Sequence, residues 1–466
     1  MSLLTLLCLL AALVWVVHLI RLGNVPLAGL AILLVGTVCG PAFFAINGPL
    51  QISADRLLWV LVLGMFAVHW RLGKTDFRGL TRGDWCLLLL VLWLGISTQR
   101  GGPVPGDANP VARWLFYIVM PLGMYWVARG SKLEPRDVRL ILNGFVGLGL
   151  YLAVTGWCEM RGWHAGVFPT YIVDPKIWEF YGRARGPLLN PAANGMLLTI
   201  AWGAAMLLWL QAGRLGKVLY GLAVLVIALG VYATLTRGVW VGGVLAAAIL
   251  AYHHLPRWVS IVGLVAVMLV AGGAAIGMKD QLLRLKRDKN LSAAEAEKSL
   301  QLRPVLAIVA YEMFKDKPLT GFGYGHYFAH SRPYHDTLKY GTRLSSARPY
   351  MQHNVLLSIL VDAGLAGLLP LLFLLFYWFS CAWKLVVAVG PPLAVRQLGL
   401  LMLMAMGSYW VNGMFQDVSI IPMVHMFLFY LAGLTVGTWQ RLASAGRPSS
   451  VVENRRAAMP RELVCG

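Results

Sequence analysis

The stretch HNVLLSILVDAGLAGLLPLLFLLFYWFS, residues 353–380, decides the fold class. From Val355 onward it is apolar for long enough to cross a bilayer, for which a helix needs about 20 residues. Similar apolar runs recur from one end of the chain to the other. We find no series of alternating segments of about ten residues, the pattern of a membrane β-barrel. The sequence therefore predicts an all-α polytopic membrane protein.

The composition agrees with a membrane protein. Of the 466 residues, 58% are hydrophobic and 13% are charged, whereas a soluble domain carries about 25% charged residues. The net charge is +20, but the basic residues are scattered between spans and no nucleic-acid-binding motif accompanies them. Cytoplasmic loops of membrane proteins accumulate Lys and Arg, so we expect membrane lipids and no nucleic acid among the partners.

We predict 12 or 13 transmembrane helices. The thirteen candidate spans are 2–20, 26–46, 55–71, 84–98, 112–128, 138–158, 192–211, 217–235, 237–252, 257–277, 354–379, 397–415 and 420–439. The predicted domains are an N-terminal bundle at 1–277 with an outward loop at 159–191, a long outward loop at 278–353, C-terminal spans at 354–440 and a disordered tail at 441–466.

The distribution of basic residues predicts the orientation. Short loops rich in Lys and Arg, such as RLGKTDFRGLTRGD at 71–84, alternate with less basic or longer ones. Because the positive-inside rule acts through short loops, the basic set and the C-terminus are cytoplasmic. If all thirteen predicted spans cross the membrane, the N-terminus lies outside. If the first one does not cross, the N-terminus lies inside. The sequence in the middle of loop 278–353 predicts helices, and Pro304 fits the first turn of the second helix. We therefore expect a helical cap over the outer face.

Four polar residues fall on that outer face: Arg183 and Arg185 before a span, Arg237 between two spans, and His353 at the start of another. Singly, each has a plain interpretation, since arginines at span ends snorkel to the interface. Together, without carboxylates nearby in sequence, they indicate an anionic ligand. The planar guanidinium suits phosphate or pyrophosphate, and a histidine suits proton abstraction from a hydroxyl.

Several cofactor motifs are missing from the sequence. It contains no GxxxxGK[ST] phosphate loop, no HExxH motif and no cysteine cluster, which argues against an ATPase or a zinc enzyme. We therefore expect no metal and no cofactor, and an enzyme of this composition would act on a substrate that is already activated. Few acidic or helix-breaking residues lie within the spans, which disfavours the alternative of a polysaccharide transporter.

Three segments together resemble the O-antigen ligase and polymerase superfamily of bacterial membrane glycosyltransferases. They are RARGPLLNPAANG at 183–195, TLTRGVWVG at 234–242, and a segment running from RPVLAIVAYEMFKDKPLTGFGYGHY at 303–327 to HNVLLSIL at 353–360. Their order and spacing are similar to those of the family over about residues 180–370, whereas NPAANG departs from the NPN that we expected.

The resemblance implies a GT-C-like fold and transfer of a glycan from undecaprenyl pyrophosphate to a hydroxyl of lipid A–core or another glycan. It also implies an inner-membrane protein with a periplasmic active site. His353 would be the general base, and Arg237 with either Arg183 or Arg185 would hold the pyrophosphate. Asn354, Arg303 and Asn190 are supporting candidates. A polysaccharide polymerase or a protein O-oligosaccharyltransferase of the same superfamily is the alternative to a ligase.

Overall fold

The computed structural model describes most of the chain, in segments. These are residues 23–43, 45–46, 51–102, 109–177, 179–260, 262–263, 293–335, 338–339 and 341–445. Helices α1 to α9 lie before residue 255: α1 (Val25–Phe43), α2 (Ala54–Arg71), α3 (Arg82–Arg100), α4 (Pro110–Trp114), α5 (Met120–Arg129), α6 (Pro135–Arg161), α7 (Pro191–Trp209), α8 (Arg214–Ala233) and α9 (Arg237–His254). Helices α10 to α15 follow residue 292: α10 (Ala293–Asp316), α11 (Tyr327–His330), α12 (Arg332–His335), α13 (Val355–Val387), α14 (Leu393–Phe415) and α15 (Pro422–Ala445).

Short elements complete the described structure. A π-helical turn, Leu115–Val119, joins α4 and α5 into one rod. Two antiparallel pairs of two-residue strands are present: β1 (Ala45–Ile46) with β2 (Ile52–Ser53), and β3 (Leu338–Lys339) with β4 (Thr342–Arg343). Turns of 3₁₀ helix lie at His164–Gly166, Thr170–Val173, Leu344–Ala347 and Val418–Ile420.

Seven of the described helices are long and apolar enough to cross a membrane. They are the rod Pro110–Arg129, α6, α7, α8, α13, α14 and, over Pro422–Ser444, α15. The prediction of an all-α polytopic membrane protein is confirmed. The predicted spans near α1, α2, α3 and α9 coincide with helices that are shorter, less apolar or more charged than these seven. The predicted span 2–20, most of 257–277 and the tail from 446 lie outside the described residues, so the total of 12 or 13 spans stays a prediction.

Helix α15 lies at the centre of the described bundle and α8 at its rim. The apolar window of α15 is 89% buried, against 17% for α8. Two glycines let α15 pack closely on α5: a Cβ at Gly433 would lie 2.3 Å from the carbonyl oxygen of Tyr125, and one at Gly437 would lie 2.3 Å from that of Arg129. Small residues at such contacts let helix backbones approach within a membrane.

A buried ion pair joins α3 to α5. The Nη2 atom of Arg129 lies 2.6 Å from Oδ2 of Asp84, and neither side chain is exposed. Tyr125 donates a hydrogen bond to Oδ1 of Asp84 at 2.6 Å, and Asp84 also completes the N-terminal capping box of α3 with Thr81. Arg129 donates further to the carbonyl of Gly79 at 2.9 Å. Both charges are thus satisfied by partners from two helices and one loop.

Helix α13 is broken at Gly364, and the loop that follows α10 closes the break. Gly364 has φ 66° and ψ −164°. The Phe322 and Gly323 amides donate to the carbonyls of Val361 and Asp362 at 2.9 Å each. In return, the amides of Leu365 and Ala366 donate to the carbonyls of Pro318 and Leu319. The glycines around 321–325 therefore serve a close approach of two backbones: a Cβ at Gly321 would lie 2.5 Å from the carbonyl carbon of Asp362.

The segment between α10 and α13 forms a helical cap with an apolar core of its own. Leu306, Val309 and Met313 of α10 are fully buried there against Leu344 and Val361. Pro304 was predicted to open a second helix, and this is wrong. Helix α10 is continuous over Ala293–Asp316 with Pro304 inside it.

We expect loss of the Asp84 carboxylate to destabilise the bundle. Asp84→Ala leaves the buried guanidinium of Arg129 without its counter-charge, and breaking such a pair costs about 3–5 kcal/mol. The melting temperature of the purified protein in detergent should fall accordingly. Arg78→Ala is the control, because the side chains of the Arg78–Asp76 pair are 40% and 26% exposed and ion pairs in contact with solvent contribute about 0–1 kcal/mol. An unchanged melting temperature for Asp84→Ala would contradict this role.

Candidate functional site

Arg183 supports the turn that presents Arg237. Its Nε donates to the carbonyl of Thr234 at 3.1 Å and its Nη2 donates to the hydroxyl of Thr236 at 2.6 Å. The amide of Ala184 bonds to the carbonyl of Ala233 beside it. Arg183 is 5% exposed, so it fills the space beneath the α8–α9 turn. Arg237 is then the first residue of α9 and is half-buried.

Arg185 is held in contacts within the protein, and its role as a pyrophosphate ligand stays a prediction that these contacts do not favour. Its Nε donates to Glu159 at 3.0 Å, and its Nη1 and Nη2 donate to the carbonyls of Ile177, Glu179 and Ile172. Four of the five N–H groups of a guanidinium are therefore used within the protein. The side chain is fully buried in the ion pair with Glu159. These contacts hold loop 159–191 against the end of α6.

Two asparagines from the supporting set are helix caps. Asn190 accepts hydrogen bonds from the amides of Ala192 and Ala193 at the start of α7. Asn354 accepts from the amide of Leu357 at 3.0 Å, and its Nδ2 donates to the carbonyl of Met414 at 3.2 Å. A side-chain oxygen at the N-cap satisfies amides that lack partners inside the helix. Asn354 in addition holds the start of α13 against the end of α14.

His353 lies between the cap and α13 in an unusual backbone conformation. Its φ is 49°, in the left-handed region, which costs energy for a residue other than glycine. The imidazole is half-buried, and its ring centre lies 6.2 Å from that of Tyr350. Burial and the charge of Arg303 lower the pKa of His353, and Asp417 opposes this. A pKa below the ordinary value leaves the ring neutral at pH 7 and able to accept a proton.

Arg303 is near enough to both His353 and Arg237 for electrostatic interaction with each. Its guanidinium sits 5.4 Å from the centre of the Phe415 ring. Burial and the neighbouring charge of Arg237 lower the pKa of Arg303, and Arg303 in turn lowers that of His353. These three residues come from α9, α10 and the start of α13. We call the end of the bundle that carries Arg183, Arg237, Arg303 and His353 the site end.

The arrangement favours an anionic ligand. The positive charge of Arg237 disfavours the charged form of Arg303, and an anion that lies between two such guanidiniums offsets this repulsion. The neutral imidazole beside them supplies a proton acceptor. Within the described residues no group of three or more His, Cys, Asp or Glu side chains is placed to hold a metal ion.

Sequence reasoning missed three charged residues at the site end, two buried aspartates and one half-buried arginine. Asp417 is 2% exposed and Asp362 is 1% exposed, and Arg113 lies 4.0 Å from Asp417. A signal was present for the two aspartates. Asp362 stands inside an apolar run, Asp417 stands in the short loop between two spans, and ionisable residues within membrane segments mark functional sites.

Comparison with known proteins gives a match to one family model over part of the chain. Residues 222–373 match the family model described as O-Antigen ligase, and this segment contains Arg237, Arg303 and His353. A comparison with the curated proteins finds no match. The matched segment covers about a third of the chain and reaches from α8 into α13. The matched segment and the membrane-helix architecture support a similarity of this chain to the O-antigen ligase superfamily.

Proposed function

We propose that this protein is an O-antigen ligase. It transfers an oligo- or polysaccharide from undecaprenyl pyrophosphate to a hydroxyl of lipid A–core, with inversion at the anomeric carbon and without a metal. The observation that carries the proposal is the grouping of Arg237 and Arg303 with His353, whose pKa is lowered, inside the segment that matches the family model.

The arginines act on the leaving group. As the bond between the sugar C1 and the pyrophosphate oxygen breaks, negative charge grows on the pyrophosphate. Arg237 offers a planar fork of donors that fits phosphate oxygens, and Arg303 adds a second positive charge beside it. Fixed charges aimed at a developing anion lower the barrier, because they need no reorganisation during the reaction. Arg183 acts indirectly, since its hydrogen bonds hold the turn before Arg237.

His353 acts on the acceptor. The acceptor oxygen attacks C1 on the face opposite the pyrophosphate, and its proton passes to the neutral imidazole as the new C–O bond forms. Attack opposite the leaving group inverts the anomeric carbon. Burial favours the neutral ring at pH 7, which is the state that a general base needs.

The site end faces the periplasm in this proposal, and the bundle lies in the bacterial inner membrane. Basic short loops join the spans at the other end, where the positive-inside rule places the cytoplasm and the C-terminus. The donor and the lipid A–core acceptor then meet at the same leaflet. A polymerase or a protein O-oligosaccharyltransferase would share the donor and these residues and differ only in the acceptor.

Transfer by the purified protein in liposomes tests the function. The vesicles contain a glycan on undecaprenyl pyrophosphate and either lipid A–core, free glycan or an acceptor peptide, with and without EDTA. We expect product with lipid A–core, and unchanged yield in EDTA. Product with one of the other two acceptors alone would assign the chain to the polymerase or the protein transferase branch. Uptake of glycan without a new glycosidic bond would indicate a transporter instead.

We predict that His353→Ala lowers the rate of transfer by about 10²–10⁴-fold, the usual contribution of a general base, and leaves donor affinity unchanged. Transfer rate and donor binding are measured on the same preparation. The control is His164→Gln, an exposed histidine in loop 159–191, which should keep full activity. Wild-type transfer by His353→Ala would remove the base role.

For Arg237→Ala we expect weaker binding of undecaprenyl pyrophosphate and transfer slower by about 10²–10³-fold, as on removal of a donor to a developing oxyanion. Arg237→Lys should recover only part of the loss, because lysine keeps the charge without the fork. Arg214→Ala, at the exposed far end of α8, is the matched control. Donor affinity equal to wild type in Arg237→Ala would overturn the assignment.

A further inference from the structure

The C-terminal end of α14 contacts the starts of two helices of the site end. A Cβ at Gly238, the residue after Arg237, would lie 3.9 Å from Cδ2 of Phe415. On the other side, Nδ2 of Asn354 donates to the carbonyl of Met414 at 3.2 Å. Phe415 is the last residue of α14, so its backbone is held next to the first turns of both α9 and α13.

The ring of Phe415 has a charged partner from a third element. Phe415 is 49% exposed, and the plain interpretation of an exposed aromatic residue at a span end is contact with the membrane interface. The guanidinium of Arg303, on α10, lies 5.4 Å from the centre of this ring. A cation within about 6 Å of a ring centre is attracted to the face of the ring. Contact with the membrane is therefore not the whole account of this side chain.

Both members of this pair are rooted in fixed backbone. Leu302 and Val305, on either side of Arg303, are buried in the apolar core of the cap. Beside Phe415, the amide of Gln416 donates to the carbonyl of Asn412 at 2.9 Å. The contact between the guanidinium and the ring thus joins the cap to the end of α14.

An aromatic ring orients an arginine in a different way from a carboxylate. Arg129 and Arg185 use their N–H groups on carboxylates and backbone carbonyls, and each carboxylate offsets the positive charge. A phenyl ring has no lone pair and no net charge, so contact with it uses none of the five N–H donors of a guanidinium and leaves its charge in place. A guanidinium oriented by a ring therefore keeps its donors and its charge for the oxygens of a phosphate.

We propose that Phe415 is a positioning residue, whose ring holds the guanidinium of Arg303 beside the start of α9, where that guanidinium binds the pyrophosphate of the donor. The identity of the anion rests on the proposed function. Phe415 lies outside the segment 222–373 that matches the family model. It forms and breaks no bond with the substrate, and it acts through Arg303.

Binding of inorganic pyrophosphate tests the pair without a lipid or a glycan. Affinity is measured by calorimetry on the full-length protein in phosphatidylcholine nanodiscs. We expect Phe415→Leu to weaken binding by about 3–30-fold, the range for loss of a cation–π contact. Phe415→Tyr should stay close to wild type, because its ring also attracts the cation. Phe376→Leu is the matched control, since Phe376 is exposed on α13 and should leave the affinity unchanged.

Replacement of Phe415 by fluorinated phenylalanines separates electrostatic attraction from packing. Fluorine withdraws electron density from the ring and keeps its shape, so this series tests the pair even where Phe415→Leu does not fold. We expect pyrophosphate affinity to fall stepwise as fluorines are added, with an unchanged melting temperature. In an Arg303→Gln background the series should have no effect, because the cation is gone. Equal losses in both backgrounds, or no response to fluorine in either, would overturn the positioning role.

Transfer in liposomes separates this inference from the proposed function. If fluorination weakens pyrophosphate binding through Arg303 and the wild type forms no glycosidic bond, the proposed function fails while the pair stands. If transfer proceeds and depends on Arg237 and His353 while fluorination leaves pyrophosphate affinity unchanged, the positioning role fails and the proposed function stands.

Discussion

The break in α13 at Gly364 is the constraint on which the site depends. A helix interrupted within a bilayer leaves backbone amides and carbonyls that need partners, and water is absent there. Residues 318–323 supply those partners through four reciprocal backbone hydrogen bonds. The loop that forms these hydrogen bonds directly follows α10. The same bonds therefore attach the cap to the bundle. This contact, together with the packing of α10 against Val361, holds the cap that carries Arg303 next to the start of α13.

Arginines in this protein fall into two physical classes. Arg129 and Arg185 are buried with a carboxylate at 2.6 and 3.0 Å and with backbone carbonyls around them. Such satisfied pairs hold helices and loops in place. Arg237 and Arg303 lie near each other and disfavour each other's charge, an arrangement that gains stability when an anion binds.

Much of the fold was predictable because long apolar runs have few alternatives in a membrane. The eleven predicted spans between 26 and 252 and between 354 and 439 all coincide with described helices.

The roles of the site residues were harder to predict from the sequence. Arg183 and Arg185 differ by two positions, and their roles depend on Glu159, Thr234 and Thr236, which are 26 to 53 residues away. The glycines at 321–325 allow a close backbone contact with the break in α13, which lies 40 residues later in the chain. No local feature of the sequence predicts this contact. Helix α10 runs through Pro304, and its residues from Leu302 to Met313 pack into the apolar core of the cap; tertiary packing of this kind outweighs a local helix signal.

The central claim is that the pyrophosphate of the donor binds between α9 and α10 at the site end, within reach of the base. Electron cryo-microscopy of the protein in nanodiscs with undecaprenyl pyrophosphate tests this most directly. We expect density for the two phosphates in contact with Arg237, between that residue and Arg303, with the His353 ring on the side where an acceptor would enter. Pyrophosphate density at the opposite end of the bundle near Arg129, or phosphates that touch neither Arg237 nor Arg303, would contradict the claim.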